Sequence, residues 1–378
     1  MCARSQSLKD RIHDEIAQAG AMKFSRFMEL ALYDSQEGYY SSDRAKVGRE
    51  GDFFTNVSVG PIFGEILAGQ FLEMWSILGE PDDFTIVEQG ANDGQLSRDI
   101  IDALSGTPLA NAHWIIIEPL ESLKNKQAHL LSGAHVSWIS SPDLLPSFCG
   151  IHFSNELFDA LPVDILQAHD GQWRELLVKS ESDGFFFSPK QNLIDGMPLP
   201  PRPDGFLTER RCAQKELLQG ISSKMEKGFL LAIDYGMPSE DLLAEHRNRG
   251  TLACYSNHRR DENPLERPGE KDITAHVDFS SLSRDACAVG LDLRGFTDQH
   301  HFLVGAATKL LQSLDGKTPP PETLKKLRAL RMLLHPETMG SQFKVILFSK
   351  GGAESQLPNG FLHARNPNHL LENPCTNL

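Results

Sequence analysis

The sequence predicts a doubly wound α/β fold, a mostly parallel sheet flanked by helices, on three observations. Short apolar runs rich in β-branched residues recur at 84–88, 114–118, 136–139, 151–154 and 229–234. Stretches with helical spacing of apolar residues separate them, as parallel strands require. The first run, ending on Glu88, passes through the glycine turn Gly90-Ala91-Asn92-Asp93-Gly94 into such a stretch, where Leu96, Ile100, Ile101 and Leu104 recur. Strand, glycine turn and helix in that order open a ligand crevice at the carboxyl ends of the strands in this class of fold.

Residues 1–20 carry acids early and no apolar segment, so they are read as a short amphipathic helix rather than a signal peptide. Residues 23–33 are predicted helical, with Phe24, Phe27, Met28 and Leu32 on one stripe. After Gly38-Tyr39-Tyr40, residues 41–52 read as a polar loop ending in GDFFTN. A further helix starts near Pro61, a residue favoured in a first turn, and runs to Leu78. Residues 1–80 are therefore expected to form a helical cover, ahead of a core at 81–170 and 226–350. Within 171–225 an inserted subdomain is expected: RELLVKSESDGFFFS as a hairpin turning at Asp183-Gly184, the proline-rich MPLPPRPDG, and a helix over 208–224. Residues 250–269 are polar and turn-rich, a loop or lid. A helix stopped by Gly290 follows, then strands at 294–296 and 343–350 with a helix over 324–334 between them. Residues 351–378 are expected to be a loose tail with little to bury.

The 378 residues suffice for one large α/β domain with an appended subdomain, and an apolar fraction of 40% with 23% charged is that of a globular chain. A formal net charge of −14 argues against non-specific binding to nucleic acid or anionic membranes, which needs basic patches. No apolar run reaches membrane-spanning length. The cysteines, Cys2, Cys149, Cys212, Cys254, Cys287 and Cys375, lie far apart with no C-x-x-C pair. That spacing predicts neither a zinc site nor a disulfide framework, and it suits a reducing, cytoplasmic setting. His300-His301 has no matching third ligand, so no metal site is expected.

The turn decides the ligand class. Its G-x-x-x-G spacing is not the G-x-G-x-x-G that seats a pyrophosphate on a helix N-terminus. It suits an adenosine-containing ligand without phosphate, of which S-adenosylmethionine is the common one. Asn92 is among the few residue types that tolerate a positive φ. Glu118 closes the second strand, WIIIEPLE, where a ribose-binding carboxylate would fall. Glu88, Gly90, Asn92 and Gly94 are thus assigned to the methionine side of the cofactor, Glu118 to the ribose and Asp143 to the flank of the adenine.

EGYY, GDFFT with IFGE behind it, EQGANDGQL, SNELFDALPV, LLAIDYG and DITAHVDF, in this order, resemble the MidA family of S-adenosylmethionine-dependent methyltransferases over roughly residues 23–350. The SNELFDALPV and DITAHVDF runs are the most specific. The resemblance implies a Rossmann-like class I methyltransferase sheet, seven strands with one reversed, carrying added helices. It also implies a protein arginine as acceptor, on a respiratory complex I-type subunit. Val57-Ser58 stands where the family usually has Pro-Glu, and Asn92 where it has glycine.

Methyl transfer from a sulfonium is an in-line displacement, so the protein chiefly aligns a nucleophile and excludes water. Carboxylates can hold a guanidinium in a bidentate fork and accept its proton as the bond forms. SNELFDALPV puts Asn155 and Glu156 just past the fourth strand, facing the cofactor methyl in such a fold. Glu156 is the first choice for gripping the acceptor and Asp159 the second; a helix cap at Asn155 and a first-turn acid at Asp159 are the plain alternatives. Asp234 and Tyr235 end the fifth strand and can line the acceptor cleft. His276 can relay a proton, beside Asp278 as a cap for the helix from Phe279. Glu209, at the opening of the helix over 208–224, is a further acceptor carboxylate.

Three rivals stay open at this level: a non-catalytic binding or assembly module on the same scaffold, a methyltransferase for a small molecule, and a nicotinamide-dependent dehydrogenase. The last is disfavoured by the turn.

Overall fold

The computed structural model describes residues 6–41, 56–182, 184–194, 199–256, 259–261, 263–313, 320–352, 356–372 and 375. The chain divides into two compact units. The core unit comprises Phe54–Phe158, Lys215–Pro238 and Val277–Leu378, and the appended unit Met1–Phe53, Asp159–Gln214 and Ser239–His276. The expected cover at 1–80 is thereby split between them. Among the described residues no helix is long and apolar enough to cross a membrane.

The strands of the core unit are β1 (Thr85–Gln89), β2 (His113–Ile117), β3 (Val136–Ile139), β4 (Phe148–Asn155), β5 (Met225–Met237), β6 (Asp292–Asp298) and β7 (Phe343–Lys350). They lie in the order β3-β2-β1-β4-β5-β7-β6, and the short strand Val277–Asp278 pairs with β5. All pairings are parallel except those of β7, which runs against both β5 and β6. The core unit's helices of eight residues or more are α1 (Ile62–Ile77), α2 (Gln95–Leu104), α3 (Glu121–Leu130), α4 (Gln214–Lys224), α5 (Phe279–Ala288), α6 (Gln299–Ala306) and α7 (Pro321–Leu334).

A parallel sheet covered on both faces needs strands apolar on both sides. Every residue of β1 is buried, and Phe229 to Ile233 of β5 are at most 1% exposed. Phe153 of β4 packs against Phe71 of α1 and Trp114 of β2, with ring centroids 5.0 and 5.9 Å away. Register brings the carboxyl ends level: Gln89 lies opposite Ile117 and Ser154, and Asn155 opposite Ile233. Whatever follows β1, β2, β4 and β5 therefore emerges along one edge.

The appended unit has its own core, built from helices Leu8–Ala19 and Phe24–Tyr33 with strands Asp164–His169 and Gln172–Glu181. The expected hairpin is present as Gln172–Glu181 against Gly184–Leu193. Gly184 is already a strand residue opposite Glu181; Asp183 lies outside the described residues, as do residues 42–55 with GDFFT and residues 195–198 of the proline-rich run.

Several expectations are corrected. The helix over 208–224 is two elements, the strand Leu207–Arg210 and then α4. A four-residue strand is too short for period 2 to stand out from period 3.6 in sequence. Residues 250–269 are not simply a loop or lid, because Ala253–Ser256 pairs with both Arg259–Asp261 and Asp272–Thr274. The described part of the tail is not loose. Asn359 and Gly360 bind Glu73 and Gln70 of α1, Phe361 is 3% exposed against Phe302, and Leu371 is fully buried. Nor are all cysteines free: Cys287 of α5 is bonded to Cys375, so cysteine usage no longer argues for a reducing compartment.

Candidate functional site

Three residues of the first turn have left-handed backbones: Gly90 at φ 82°, Asn92 at 49° and Gly94 at 90°. The two glycines also let neighbouring side chains pack closely against the turn. A Cβ at Gly90 would lie 3.2 Å from Leu157 Cδ1, and one at Gly94 3.3 Å from Gln127 Cγ. Behind the turn, Gln89 Oε1 meets Nε2 of the fully buried His152 at 3.2 Å. Burial holds that imidazole down to about 3, so it is neutral.

Glu118 is the first residue past β2, and its backbone N–H bonds Ile139 O at 2.8 Å. Its Oε1 accepts from Leu120 N and its Oε2 from Gln127 Nε2, both at 2.9 Å. Burial pushes this carboxyl up to about 7, against the pull of those two hydrogen bonds. Glu88 is different. It is 2% exposed, accepts from Ser97 Oγ of α2, and burial likewise drives it up to about 7. Trp114 Nε1 completes this chain by donating to Ser97 Oγ at 3.1 Å. Glu88 is thus a strut beneath the turn, and its carboxyl is turned toward the helix.

The loop after β4 carries an unusual backbone. Glu156 has φ 55°, a conformation that costs a non-glycine residue about 1–2 kcal/mol. Its N–H bonds Ile233 O of β5 at 2.9 Å. A side-chain chain then runs from Asn56 Nδ2 to Asn155 Oδ1 and from Asn155 Nδ2 to Glu156 Oε1, each at 3.1 Å. No helix follows β4, so Asn155 is not a helix cap and Asp159 not a first-turn acid. Asp234, 1% exposed, accepts from the N–H groups of Leu157 and Phe158 through Oδ2 and from that of Tyr235 through Oδ1. Its carboxylate anchors the Glu156 loop. Tyr235 packs edge-on against Phe343, centroids 5.4 Å apart.

Asp143 is exposed in the short turn Pro142–Leu144 after β3, and a Cβ at Gly220 of α4 would lie 3.3 Å from its Oδ1. His300 Nδ1 meets Leu334 O, and His301 sits on Asp298, so both are tied into the C-terminal helices. Asp278 does cap α5, accepting from Ser281 N.

Asp159, Glu209 and His276 belong to the appended unit. Glu209 does not open a helix; it lies on the strand Leu207–Arg210, and its carboxylate accepts from Thr251 N, Thr251 Oγ1 and Leu252 N. Those bonds make it the fastener of the 251–252 backbone. His276 is held through its main chain by Thr251 Oγ1 and Arg211. Asp159, 3% exposed, accepts Ala275 N through its carbonyl.

Around Asp159 the structure gathers residues that sequence reasoning leaves out. Tyr40 donates to Asp272 Oδ1 at 2.9 Å and stacks on Tyr33, centroids 5.5 Å apart, while Tyr33 donates to Ala160 O. Burial, with Asp272, Tyr33 and Asp159 nearby, pushes the Tyr40 hydroxyl well above its ordinary range. The signal is present in EGYY and DITAHVDF, which hold Tyr40 and Asp272, but nothing in either run says which tyrosine faces which acid. Buried carboxylates beside stacked phenol rings form an environment that attracts an organic cation.

A family model described as S-adenosyl-L-methionine-dependent methyltransferase matches residues 66–297. Among curated proteins, the chain is 27% identical over 383 residues to the protein arginine methyltransferase NDUFAF7 homolog, mitochondrial, of Drosophila melanogaster, covering 91% of this chain and 85% of that one. It is 27% identical over 370 residues to the human protein arginine methyltransferase NDUFAF7, mitochondrial, covering 87% and 80%. Among solved structures, a COG1565 superfamily member from Burkholderia thailandensis bound to S-adenosyl-homocysteine aligns at TM-score 0.85 and 29% identity over 96% of each chain. A native structure of a COG1565 superfamily protein from the same organism aligns at TM-score 0.82 and 28% identity, also over 96% of each.

Proposed function

Because the chain belongs to this family of S-adenosyl-L-methionine-dependent methyltransferases, we propose that it methylates an arginine side chain of a protein, with Glu156 gripping the acceptor. Bound S-adenosylmethionine supplies the electrophilic methyl group. The residues of the core unit fit that cofactor: a tight left-handed turn through Gly90, Asn92 and Gly94 at the strand end, and a carboxylate at Glu118 whose two oxygens each keep a lone pair for a ribose hydroxyl. In this reading Asp143, at the end of β3, flanks the adenine.

The observation that carries the acceptor side is the left-handed backbone of Glu156. Strain of this kind persists only where the surroundings over-determine it, and it clusters at active sites. Here Asp234, Asn155 and the β5 backbone supply that determination. A carboxylate so placed can take two N–H groups of a guanidinium and then receive the proton lost as nitrogen is alkylated. Asp234, with both oxygens on backbone N–H groups, is proposed as a positioning residue and not as an acid–base group. Asp159 and His276 remain acceptor-side candidates within the appended unit, where the Tyr33, Tyr40 and Asp272 cluster suits a cation. The names of the relatives point to the same substrate class. In this reading the protein works in the cytoplasm, whereas the named relatives are mitochondrial; imaging a tagged full chain beside an organelle marker decides between the two.

The test is transfer of radiolabelled methyl groups from the cofactor to a cell extract, followed by mass spectrometry of the labelled species. Label on arginine of a protein is expected. Label on a small molecule, or on another residue type, would refute the acceptor. No transfer despite intact cofactor binding would make the chain a binding module.

A further inference from the structure

We propose that Gln127 is the positioning residue of the ribose end of the cofactor site, its amide holding the Glu118 carboxylate in a preformed orientation. The inference rests on the reading of Glu118 as the ribose acceptor.

Gln127 lies in α3 and is fully buried. Its Nε2 donates to Glu118 Oε2 at 2.9 Å and to the carbonyl of Asn92 at 2.8 Å, and its Oε1 accepts from Trp138 Nε1 at 2.9 Å. A primary amide has two N–H groups and one carbonyl, and all are in use. The orientation of the amide is determined as well. An indole N–H only donates and a backbone carbonyl only accepts, so a flipped amide would set donor against donor and acceptor against acceptor. The stem contributes too, because Gln127 Cγ is the atom a Cβ at Gly94 would meet at 3.3 Å.

One side chain therefore joins the turn after β1, the residue after β2, and β3. Sheet hydrogen bonds set the strands, yet they leave the side-chain torsions of Glu118 unset. Gln127 sets them on one oxygen and Leu120 N on the other. An acceptor fixed before its ligand arrives spares the ordering cost of binding, and a donor on a buried carboxylate favours its charged form, which accepts hydroxyls best. Asp or Asn at position 127 would be too short to span the same partners, whereas methionine keeps the volume and discards the hydrogen bonds.

Calorimetry on the full chain compares S-adenosylhomocysteine with its analogue lacking both ribose hydroxyls, for wild type, Gln127→Met, Glu118→Gln and the double variant. Gln127→Met should weaken S-adenosylhomocysteine about tenfold or more, the range for losing a hydrogen bond to a charged group, while changing the analogue by no more than about twofold. The double variant should bind no worse than Glu118→Gln alone. A merely structural role for Gln127 would weaken both ligands alike, and that outcome overturns the proposal. If Glu118→Gln weakens binding and Gln127→Met does not, the proposal alone fails. If Glu118→Gln itself leaves binding unchanged, the ribose reading fails and takes the proposal with it. Trp138→Phe, which removes only the donor that orients the amide, is read by the same comparison should Gln127→Met not fold.

Discussion

Asp234 Oδ2 accepts the backbone N–H of Phe158 at 2.8 Å, across 76 positions of sequence, and so pins the loop that begins at Glu156. Leu157 N shares the same oxygen. Replacement by asparagine keeps the shape but puts a weaker acceptor, or a donor, against those N–H groups. Asp234→Asn is expected to lower stability by on the order of 2–3 kcal/mol and turnover at least tenfold, with cofactor affinity within about threefold of wild type. Urea titration, steady-state kinetics and calorimetry check the three together; full turnover would show that the loop needs no such anchor.

Glu156→Gln is expected to cut turnover by about 10²–10⁴, the span for a lost acid–base group, without weakening the cofactor. Glu156→Gly should be as inactive but more stable than wild type by roughly 1 kcal/mol, because glycine adopts φ 55° without penalty. If the glycine variant is both active and stabilised, Glu156 has no chemical part and its strain no functional reason.

Glu118 has a pH signature. Its carboxyl titrates at about 7 in the folded chain, and ribose hydroxyls donate best to the ionised form. Affinity for S-adenosylhomocysteine should rise from pH 5.5 to about 7 and then level, by up to about tenfold per pH unit on the rising side. Glu118→Gln should abolish the slope. A slope that survives in that variant belongs to another group.

Glu88 controls stability in the same window. Its folded value, about 7, lies above the ordinary 4.5, so between those values the native chain keeps a proton that the unfolded chain has released. Its contribution to stability is full below about 4.5 and is lost as pH rises through about 7. Glu118 of the ligand-free protein behaves likewise. Glu88→Gln, with its hydrogen bond to Ser97 retained, should flatten the fall in melting temperature between pH 5 and 8. An unchanged slope in thermal scans would contradict a buried, protonated Glu88.

The bond between Cys287 and Cys375 closes a span of 88 residues over the C-terminal segment. Cys287→Ser is expected to cost about 2–4 kcal/mol and to speed amide exchange at Phe361 and Leu371, and reductant should do the same to wild type. Equal exchange in oxidised and reduced protein would mean that the buried side chains hold the segment without the bond.

Features set by neighbours along the chain are legible in the amino-acid sequence. The glycine turn is one of them, including the positive φ of Asn92, because backbone sterics act within a residue or two. So are β1, β3 and β7 to within a residue, since each is a short run carrying β-branched or aromatic residues between polar, turn-prone stretches. Asp278 reads as a cap from its place just ahead of Phe279. The roles of Glu88, Asp234 and Glu209 are not legible in this way. A carboxylate at a strand end reads the same whether it faces a ligand or backbone N–H groups, and its partner is chosen by the path of a distant segment. Gln127 gives no signal at all, as a polar residue on a helix is ordinarily solvated. The packed tail escapes pattern reading because it is held by single anchors, Asn359, Phe361 and Leu371, with no period to detect.

Sequence by itself determined the sheet, the left-handed glycine turn and the cofactor class, which follow from local sterics, apolar period and motif order. Tertiary structure alone decided which acids hold backbone N–H groups distant in sequence, as Asp234 and Glu209 do. Hydrogen-bond partners tens of residues apart are matched by the packing of the strands and not by any pattern along the chain.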